Sequence, residues 1–302
     1  MFHASEHRGR RDLQGVWSFA ITPMHDDGRI DDASIARNIE YIEKGGIRVI
    51  VPTGGTGEFF SLTSLEILTV AEVARGAVQQ ATIMPGIGGN LSTAIEQGQR
   101  LGELDISIAM VVPPSQPGSD RGLAEFYRRL AAEVPIDLVI FQAPHAKLSP
   151  EALIELGALK NVVGFKDEVG DILSFQRVLD NVGDKLFGVC GLSEGLAAPY
   201  HVIGAIAYTS GVSNVAPELA AAFGKALVNG DWPEATNLRR RFQPLTDLRA
   251  RHGRHVPIVK AALKELGVIR SAAVRLPLMA TSPDEVLELR GVLRVLGLPG
   301  VA

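Results

Sequence analysis

The chain has 302 residues, of which 46% are hydrophobic and 21% charged, so it contains enough apolar material for a large buried core. A net charge of −4 gives no general attraction to nucleic acid or an anionic membrane, and an aromatic content of 6% argues against base-stacking surfaces. The single cysteine, Cys190, excludes an internal disulfide and favours a cytoplasmic location. Residues 1–12 are polar, and we expect a flexible N-terminal tail there rather than a secretory signal.

Short apolar runs rich in β-branched residues alternate with segments of helical periodicity along most of the chain. The predicted strands are 16–21, 48–52, 82–86, 107–112, 138–141, 162–166, 186–190 and 205–208. The predicted helices between them are 32–44, 64–80, 93–101, 123–133, 150–158, 172–181 and 194–203. Eight strands that are each followed by a helix predict an α/β fold in which a parallel sheet closes into a (β/α)8 TIM barrel over residues 13–229.

From residue 217 onward the pattern is purely helical, with predicted helices at 217–229, 232–250, 257–266 and 283–295. The first of these closes the barrel, and residues 230–302 are predicted to form a C-terminal helical extension packed on it. A doubly wound open sheet is the alternative fold, but no dinucleotide-binding glycine motif follows the first strand.

The apolar run that begins at Val162 ends at Lys166, and the chain turns polar immediately afterwards. In a parallel barrel, catalytic residues lie at such carboxyl ends of strands. Burial would favour the neutral amine of this lysine, which can attack a ketone to form a Schiff base. The competing interpretation is a strand-end lysine paired with Asp167 or Glu168.

A glycine-rich loop follows the second predicted strand and contains Gly54, Gly55 and Thr56. Successive N–H groups in such a turn can converge on a carboxylate or phosphate, and Thr56 adds a hydroxyl donor. A turn that only reverses the chain is the alternative, and the absence of a Gly-Lys-Ser/Thr ending excludes a nucleotide P-loop. If the loop and Lys166 face each other across the barrel mouth, a 2-keto acid satisfies both, with its carboxylate on the loop and its ketone at the amine.

These residues are also where the chain resembles the dihydrodipicolinate synthase/N-acetylneuraminate lyase family of class I aldolases, from about Leu13 to the C-terminus. Residues 54–58 are similar to the family's Gly-Thr/Ser-Thr-Gly-Glu loop, residues 163–167 to its Schiff-base strand, and residues 204–217 to its eighth-strand signature. Segments 54–62, 163–167 and 274–278 are most similar to the 5-dehydro-4-deoxyglucarate dehydratases.

The resemblance implies a barrel, a homotetramer or dimer, no metal or organic cofactor, and decarboxylating dehydration of a sugar-derived 2-keto diacid. It implies a catalytic role for Lys166. Thr56 and Tyr208 are the further catalytic candidates, and a Tyr208 that only fills the barrel is the alternative. The residues that the resemblance implies at the substrate are Gly54, Gly55, Thr56, Phe141, Ser210 and Arg275. A structural role for Arg275 is the alternative to binding the second carboxylate.

The chain departs from the family at several positions. Phe141 stands where the family usually has a tyrosine whose hydroxyl relays protons, and a phenylalanine cannot perform that transfer. Residues 113–115 replace a tyrosine pair of the dihydrodipicolinate synthases, and Ala146, next to Lys147, lies where those enzymes have a carboxylate-binding arginine. Lysine-precursor synthesis is therefore disfavoured. The candidates to replace the missing hydroxyl are Tyr208, Thr56, Ser115 and His145.

Three functional hypotheses follow from the sequence. The first is a Schiff-base-forming dehydratase of a sugar-derived keto-diacid, and the second is a pyruvate-dependent aldolase with a less polar partner, since Phe141 makes the mouth less polar. The third, of a different class, is a homologue that binds keto acids but has lost turnover together with the tyrosine. The dehydratase would release CO₂, and the aldolase would release pyruvate with an aldehyde. The third protein would bind keto acids without catalysis.

Overall fold

The computed structural model describes residues 11–116, 118–251 and 253–298, and within these ranges the chain forms nine β-strands and eleven α-helices. The strands are β1 (Gly15–Phe19), β2 (Val49–Val51), β3 (Thr82–Ile83), β4 (Gly86–Gly88), β5 (Ile108–Val112), β6 (Asp137–Gln142), β7 (Val162–Asp167), β8 (Phe187–Cys190) and β9 (Ala207–Ser210). The helices are α1 (Asp32–Lys44), α2 (Ser64–Ala77), α3 (Leu91–Glu103), α4 (Asp120–Glu133), α5 (Pro150–Leu156), α6 (Ile172–Val182), α7 (Ser193–Val202), α8 (Pro217–Val228), α9 (Trp232–Ala250), α10 (His255–Glu265) and α11 (Pro283–Val295). The alternation of strands and helices confirms the predicted α/β class.

The helices predicted at 32–44, 232–250 and 283–295 have these same bounds in the structure. The strand predicted over 82–86 is instead two short strands, β3 and β4, with Pro85 in the gap between them. A proline has no N–H to donate to a neighbouring strand, so it interrupts the ladder. Most of the predicted N-terminal tail lies outside the described residues, and the boundary at residue 230 stays a prediction.

The chain divides into two compact units, which are described separately. The first unit consists mainly of residues 84–209, and its strands β4 to β9 lie side by side in chain order, every pair parallel. The second unit consists of residues 16–83 and 210–298, with β1, β2 and β3 parallel in that order and helices α8 to α11 following. Among the described residues, no helix is long and apolar enough to cross a membrane.

Glycines in the first unit make room for large aromatic rings beside β7 and β8. A Cβ atom on Gly164 would lie 2.1 Å from the ring of Phe187, and one on Gly188 would lie 2.4 Å from the ring of Phe175. Real Cβ contacts are longer than this, so any larger residue at these positions would displace a ring from a close-packed core.

An aromatic cluster packs between β7 and the helices that follow it. The ring centroids of Phe165 and Phe175 are 5.0 Å apart, and those of Phe175 and Tyr200 are 4.8 Å apart. All three side chains are almost completely buried. Since side chains alternate between the faces of a strand, Phe165 on the helix side places Lys166 on the opposite face of the sheet.

In the second unit, the amide of Asn214 ties the loop after β9 to the end of β1. Its Oδ1 accepts the N–H of Ile21 at 3.1 Å, and its Nδ2 donates to the carbonyl of Phe19 at 2.8 Å and to that of Gly211 at 3.1 Å. Asn214 is fully buried, so these bonds satisfy polar groups that would otherwise be costly to bury.

Candidate active site

Lys166 lies at the carboxyl end of β7, and its side chain is 4% exposed. It is the register partner of Phe141 on β6, so the two side chains leave neighbouring parallel strands on the same face. The ammonium nitrogen lies 3.4 Å from the centroid of the Phe141 ring. The aromatic ring therefore covers one side of the amine and offers it no group that can exchange a proton.

The carboxylate of Glu168 contacts the same nitrogen. Lys166 Nζ donates to Glu168 Oε2 at 2.5 Å. The side chain of Glu168 is 41% exposed, so it extends from solvent to the buried amine. The Lys166–Glu168 ion pair, which the sequence offered as the alternative to a catalytic lysine, is therefore present. The burial of Lys166 that a catalytic role requires is present as well.

Burial lowers the pKa of Lys166, while the nearby Glu168 carboxylate opposes the shift without cancelling it. The neutral amine is the nucleophilic form, and it forms as the pH rises through the pKa. A lowered pKa therefore makes this amine nucleophilic at a lower pH than an ordinary lysine.

Asp167 is fixed on the opposite face of β7. Its carboxylate accepts the hydroxyl of Tyr200 and the backbone N–H groups of Val169 and Gly170, the latter two at 3.2 and 3.3 Å. Burial raises the pKa of Asp167, and the Tyr200 hydrogen bond opposes that shift. The anchored carboxylate holds the end of the strand from which Lys166 extends.

Gly191, just after β8, packs directly against the base of Lys166. Its N–H donates to the carbonyl of Asp167 at 2.7 Å. A Cβ atom here would lie 2.6 Å from that carbonyl oxygen and 2.9 Å from Lys166 Cε. Only glycine fits without displacing the backbone of β7, so this position fixes where the amine lies.

The predicted glycine-rich loop lies in the second unit and forms a tight turn. The N–H of Glu58 donates to the carbonyl of Gly55 at 3.1 Å, and that of Phe59 donates to the carbonyl of Gly54 at 3.2 Å. Gly54 is buried, Gly55 is exposed, and Thr56 is half-buried. The exposed Gly55 and the half-buried Thr56 are thus the parts of the predicted anion-binding turn that a ligand can reach.

A fully buried ion pair supports this loop. Lys260 on α10 pairs with the carboxylate of Glu58, and both side chains are 0% exposed. Lys260 Nζ also donates to the carbonyl of Ala273 at 2.7 Å. Burial lowers the pKa of Lys260, and the Glu58 carboxylate opposes this. Glu58 has a left-handed φ of 60°, which is uncommon outside glycine, and its side chain is held by the pair with Lys260.

Arg275 is engaged inside the second unit. Its guanidinium pairs with Glu66 and donates to the carbonyls of Ser61 and Gly28, so all five of its N–H groups have partners. The Arg275 guanidinium lowers the pKa of Glu66 to about 2. These contacts match the structural alternative considered for Arg275, and its role as a substrate ligand stays a prediction that requires this clamp to open.

The other sequence candidates occupy varied environments. Tyr208 is fully buried on β9, where burial and then the carboxylate of Glu194 raise its pKa well above 10. Ser210 is 1% exposed, and its hydroxyl accepts the N–H of Ser213 at 3.0 Å. The remaining candidates, all on loops of the first unit, are exposed: Ser115, His145 and Lys147, the last of which pairs with Asp171 at 2.8 Å.

The sequence left Asp167 and Glu168 open as partners of Lys166, and it did not single out the pair of Lys260 with Glu58. Period-2 alternation on β7 could have shown that Asp167 faces away from Lys166, which leaves Glu168 as the acidic neighbour of the amine. Lys260 gave a weaker indication, as a lysine within the apolar run of α10, and its partner Glu58 is distant in the sequence. Among the described residues, no cluster of three or more His, Cys, Asp or Glu side chains has the arrangement of a metal site.

Comparison with known families decides what kind of protein carries this lysine. The profile of the Dihydrodipicolinate synthetase family matches residues 12–295. The chain belongs to this family. Its members are lyases of the class I aldolase type, so the chain is an enzyme of that class.

Individual relatives divide between two activities. The chain is 31% identical over 287 residues to a 4-hydroxy-tetrahydrodipicolinate synthase of Methanothrix thermoacetophila, which covers 93% of this chain and 96% of the relative. It is 32% identical over 294 residues to a probable 5-dehydro-4-deoxyglucarate dehydratase of Variovorax paradoxus, which covers 94% and 95%. The similarity therefore fixes the family and leaves the reaction to be argued from the site.

Solved structures of the family share the fold. Dihydrodipicolinate synthase from Aquifex aeolicus matches with a TM-score of 0.89 at 26% identity, covering 96% of this chain and 100% of that one. The chloride-inhibited enzyme from Acinetobacter baumannii, complexed with pyruvate, matches with a TM-score of 0.88 at 26% identity, covering 95% and 99%. The fold is the (β/α)8 barrel of this family, as predicted.

Replacing Gly191 by alanine should displace the end of β7 and the amine of Lys166. We expect Gly191→Ala to slow the reductive alkylation of Lys166 by pyruvate and cyanoborohydride by about 10²-fold, because displacing a reacting atom by about 1 Å has an effect of this size. The control is Gly195→Ala on α7, where an added Cβ has no neighbour within 4 Å. Equal alkylation rates for the two variants would contradict the packing role of Gly191.

Removing the buried cation of the second unit should leave the Glu58 carboxylate without its partner. We expect Lys260→Met to lower the free energy of unfolding by about 3–5 kcal/mol, and Lys260→Met with Glu58→Gln to recover most of the loss. Lys44→Met is the control, because Lys44 is 78% exposed and should change stability by less than about 0.5 kcal/mol. Denaturant unfolding measures the free energy of unfolding of the three variants. Equal losses in Lys260→Met and Lys44→Met would contradict a stabilising role for the buried pair.

Proposed function

We propose that this protein is a Schiff-base-forming lyase of 2-keto acids that acts as a 5-dehydro-4-deoxyglucarate dehydratase, releasing CO₂. The observation that carries the proposal is the amine of Lys166, which is 4% exposed at the end of β7 and has its pKa lowered by burial. Such an amine meets the chemical requirement of a class I aldolase nucleophile.

In the proposed reaction, Lys166 attacks the ketone carbon and water is lost, which leaves a protonated imine. This cation withdraws electrons from the adjacent carbon and makes its C–H acidic. Loss of that proton allows the hydroxyl on the next carbon to leave as water, and the same electron sink accepts the electron pair released when a carboxylate departs as CO₂.

The substrate's carboxylate is assigned to the exposed turn at Gly55, with Gly54 shaping the turn and Thr56 donating a hydroxyl. We assign Tyr208 as a hydrogen-bond donor, because a pKa well above 10 keeps its phenol protonated near neutral pH. Phe141 is assigned as the apolar wall beside the imine, and Ser210 as part of the substrate-binding strand end. The proposal also includes a cytoplasmic homodimer or homotetramer with no metal or organic cofactor.

A dehydratase is favoured over 4-hydroxy-tetrahydrodipicolinate synthesis by particular residues. Phe141, Pro113 and Pro114 carry no hydroxyl where the sequence resemblance implies tyrosines in the synthases. Lys147, next to the position of their carboxylate-binding arginine, is engaged with Asp171 at 2.8 Å. A second candidate is a pyruvate-dependent aldolase, which the apolar ring of Phe141 over the amine favours because it would suit a less polar aldehyde partner.

Product analysis tests the proposal. We expect the purified protein to release CO₂ and water from 5-dehydro-4-deoxyglucarate, and we expect Lys166→Arg to abolish the reaction because a guanidinium does not form the imine. Release of labelled CO₂ and consumption of the keto-diacid measure it directly.

Cleavage of 4-hydroxy-2-keto acids to pyruvate and an aldehyde, with no CO₂ release, would replace the dehydratase by the aldolase. Binding of keto acids without product from either class would support the inactive homologue, and a rise of several orders of magnitude in Phe141→Tyr would establish it. Unchanged activity in Lys166→Arg would overturn the Schiff-base mechanism itself.

A further inference from the structure

Imine formation at Lys166 needs a group that moves protons at the nitrogen. A lysine ammonium and a ketone become a protonated imine and water, so two protons must pass from nitrogen to the departing oxygen. The nitrogen is buried, which limits transfer through bulk water, and the ring of Phe141 at 3.4 Å has no proton to exchange. The groups near the amine that do carry exchangeable protons are therefore the ones to compare.

Two of the acidic neighbours are unsuited to this task. Asp167 lies on the opposite face of β7, and its carboxylate accepts the hydroxyl of Tyr200 and two backbone N–H groups. Cys190 is fully buried, and burial raises the pKa of its thiol to about 12. A thiol that weakly acidic does not cycle protons near neutral pH.

Glu168 has the contact that the other two lack. Its Oε2 accepts from Lys166 Nζ at 2.5 Å, which is close enough for direct proton transfer between a base and the atom it serves. Its side chain is 41% exposed, so the carboxyl group can also exchange protons with water or with a substrate oxygen.

We propose that Glu168 is the catalytic acid–base that transfers protons during imine formation and hydrolysis at Lys166, an inference that rests on the proposed Schiff-base function. Its carboxylate takes one proton from the ammonium, and the neutral amine then forms the bond to the ketone carbon. The protonated carboxyl returns this proton to the resulting alkoxide. It takes a second proton from the nitrogen and gives it to the hydroxyl, which leaves as water as the C–O bond breaks. The carboxylate is regenerated and the protonated imine remains.

A purely electrostatic role for Glu168 predicts a change of the opposite sign. As a counter-ion alone, the carboxylate favours the ammonium, so its removal would increase the neutral amine and speed the attack on the ketone. As a proton carrier, its removal slows imine formation even though more of the amine is neutral. The direction of the change therefore separates the two roles.

The test is a single-turnover measurement of imine formation, with pyruvate and with 5-dehydro-4-deoxyglucarate as probes, quenched by borohydride and read by mass spectrometry. We expect Glu168→Gln to slow formation of the Lys166 adduct by about 10²–10⁴-fold and Glu168→Asp to retain part of the rate. The matched control is Glu125→Gln, which removes a carboxylate of similar exposure from a surface pair and should leave the rate unchanged.

A further variant adds a phenol beside the amine. Glu168→Gln with Phe141→Tyr places a hydroxyl on the ring that already lies against Nζ. If this double variant forms the adduct at least 10-fold faster than Glu168→Gln alone, the defect of Glu168→Gln is one of proton transfer. Thermal unfolding of each variant confirms that slow formation is not a loss of fold.

The outcomes are distinct. An adduct in the native protein that forms equally fast or faster in Glu168→Gln overturns the role of Glu168 and leaves the Schiff-base function standing. Absence of any Lys166 adduct in the native protein, with a control aldolase trapped under the same conditions, overturns the proposed function and this proposal with it.

Discussion

The placement of the Lys166 amine is the constraint on which the candidate site depends. Burial at the end of β7 disfavours its positive charge, whereas the Glu168 carboxylate at 2.5 Å and the face of Phe141 at 3.4 Å favour it. Burial prevails, and the pKa of the amine is lowered. The result is an amine that loses its proton at a lower pH than an ordinary lysine, and an amine must lose a proton before it can attack a ketone.

Rigid surroundings keep this balance in place. Asp167 is fixed by Tyr200 and by two backbone N–H groups, so the end of β7 does not depend on Lys166 itself for its position. Gly191 allows β8 to approach so closely that even a methyl group would meet the backbone of β7. Under the proposed function the charges of Lys166 and Glu168 serve the chemistry, while the carboxylate of Asp167 and the close packing of Gly191 hold the geometry.

The second unit uses its charges for support. Glu58 and Lys260 form an ion pair with no exposed surface. Every N–H group of the Arg275 side chain donates to Glu66 or to a backbone carbonyl. Both sets of contacts hold the segment that carries Thr56 and the exposed Gly55. A buried pair of this kind is costly to break, which explains how a glycine-rich turn keeps a defined shape.

Much of this architecture could be predicted from the sequence, because periods of 2.0 and 3.6 residues separate strands from helices over long, strongly patterned segments. Lys166 was recognisable as the point where an apolar run turns polar. The interruption at Pro85 was missed because a single residue breaks a strand without changing its apolar pattern. The pairing of Lys260 with Glu58 could not be predicted, since it joins residues that only the tertiary fold brings together.

The clamp around Arg275 shows the same limit. An arginine in a family-like segment looks the same in the sequence whether its guanidinium faces a substrate or internal acceptors. What decides between these roles is the position of the carbonyls of Gly28 and Ser61. Every residue has a backbone carbonyl, so the sequence cannot show which carbonyls lie near the guanidinium. Residue type therefore predicted where charge is placed, and only the structure showed what that charge contacts.

The most direct test of the central claim is a crystal structure of the protein soaked with 5-dehydro-4-deoxyglucarate or pyruvate at a pH where the amine is partly neutral. The account predicts continuous density from Lys166 Nζ to the ketone carbon, with the Glu168 carboxyl still beside the nitrogen. A keto acid bound without that bond, or a ligand bound elsewhere with the Lys166–Glu168 pair intact, would contradict it and make the lysine a structural residue.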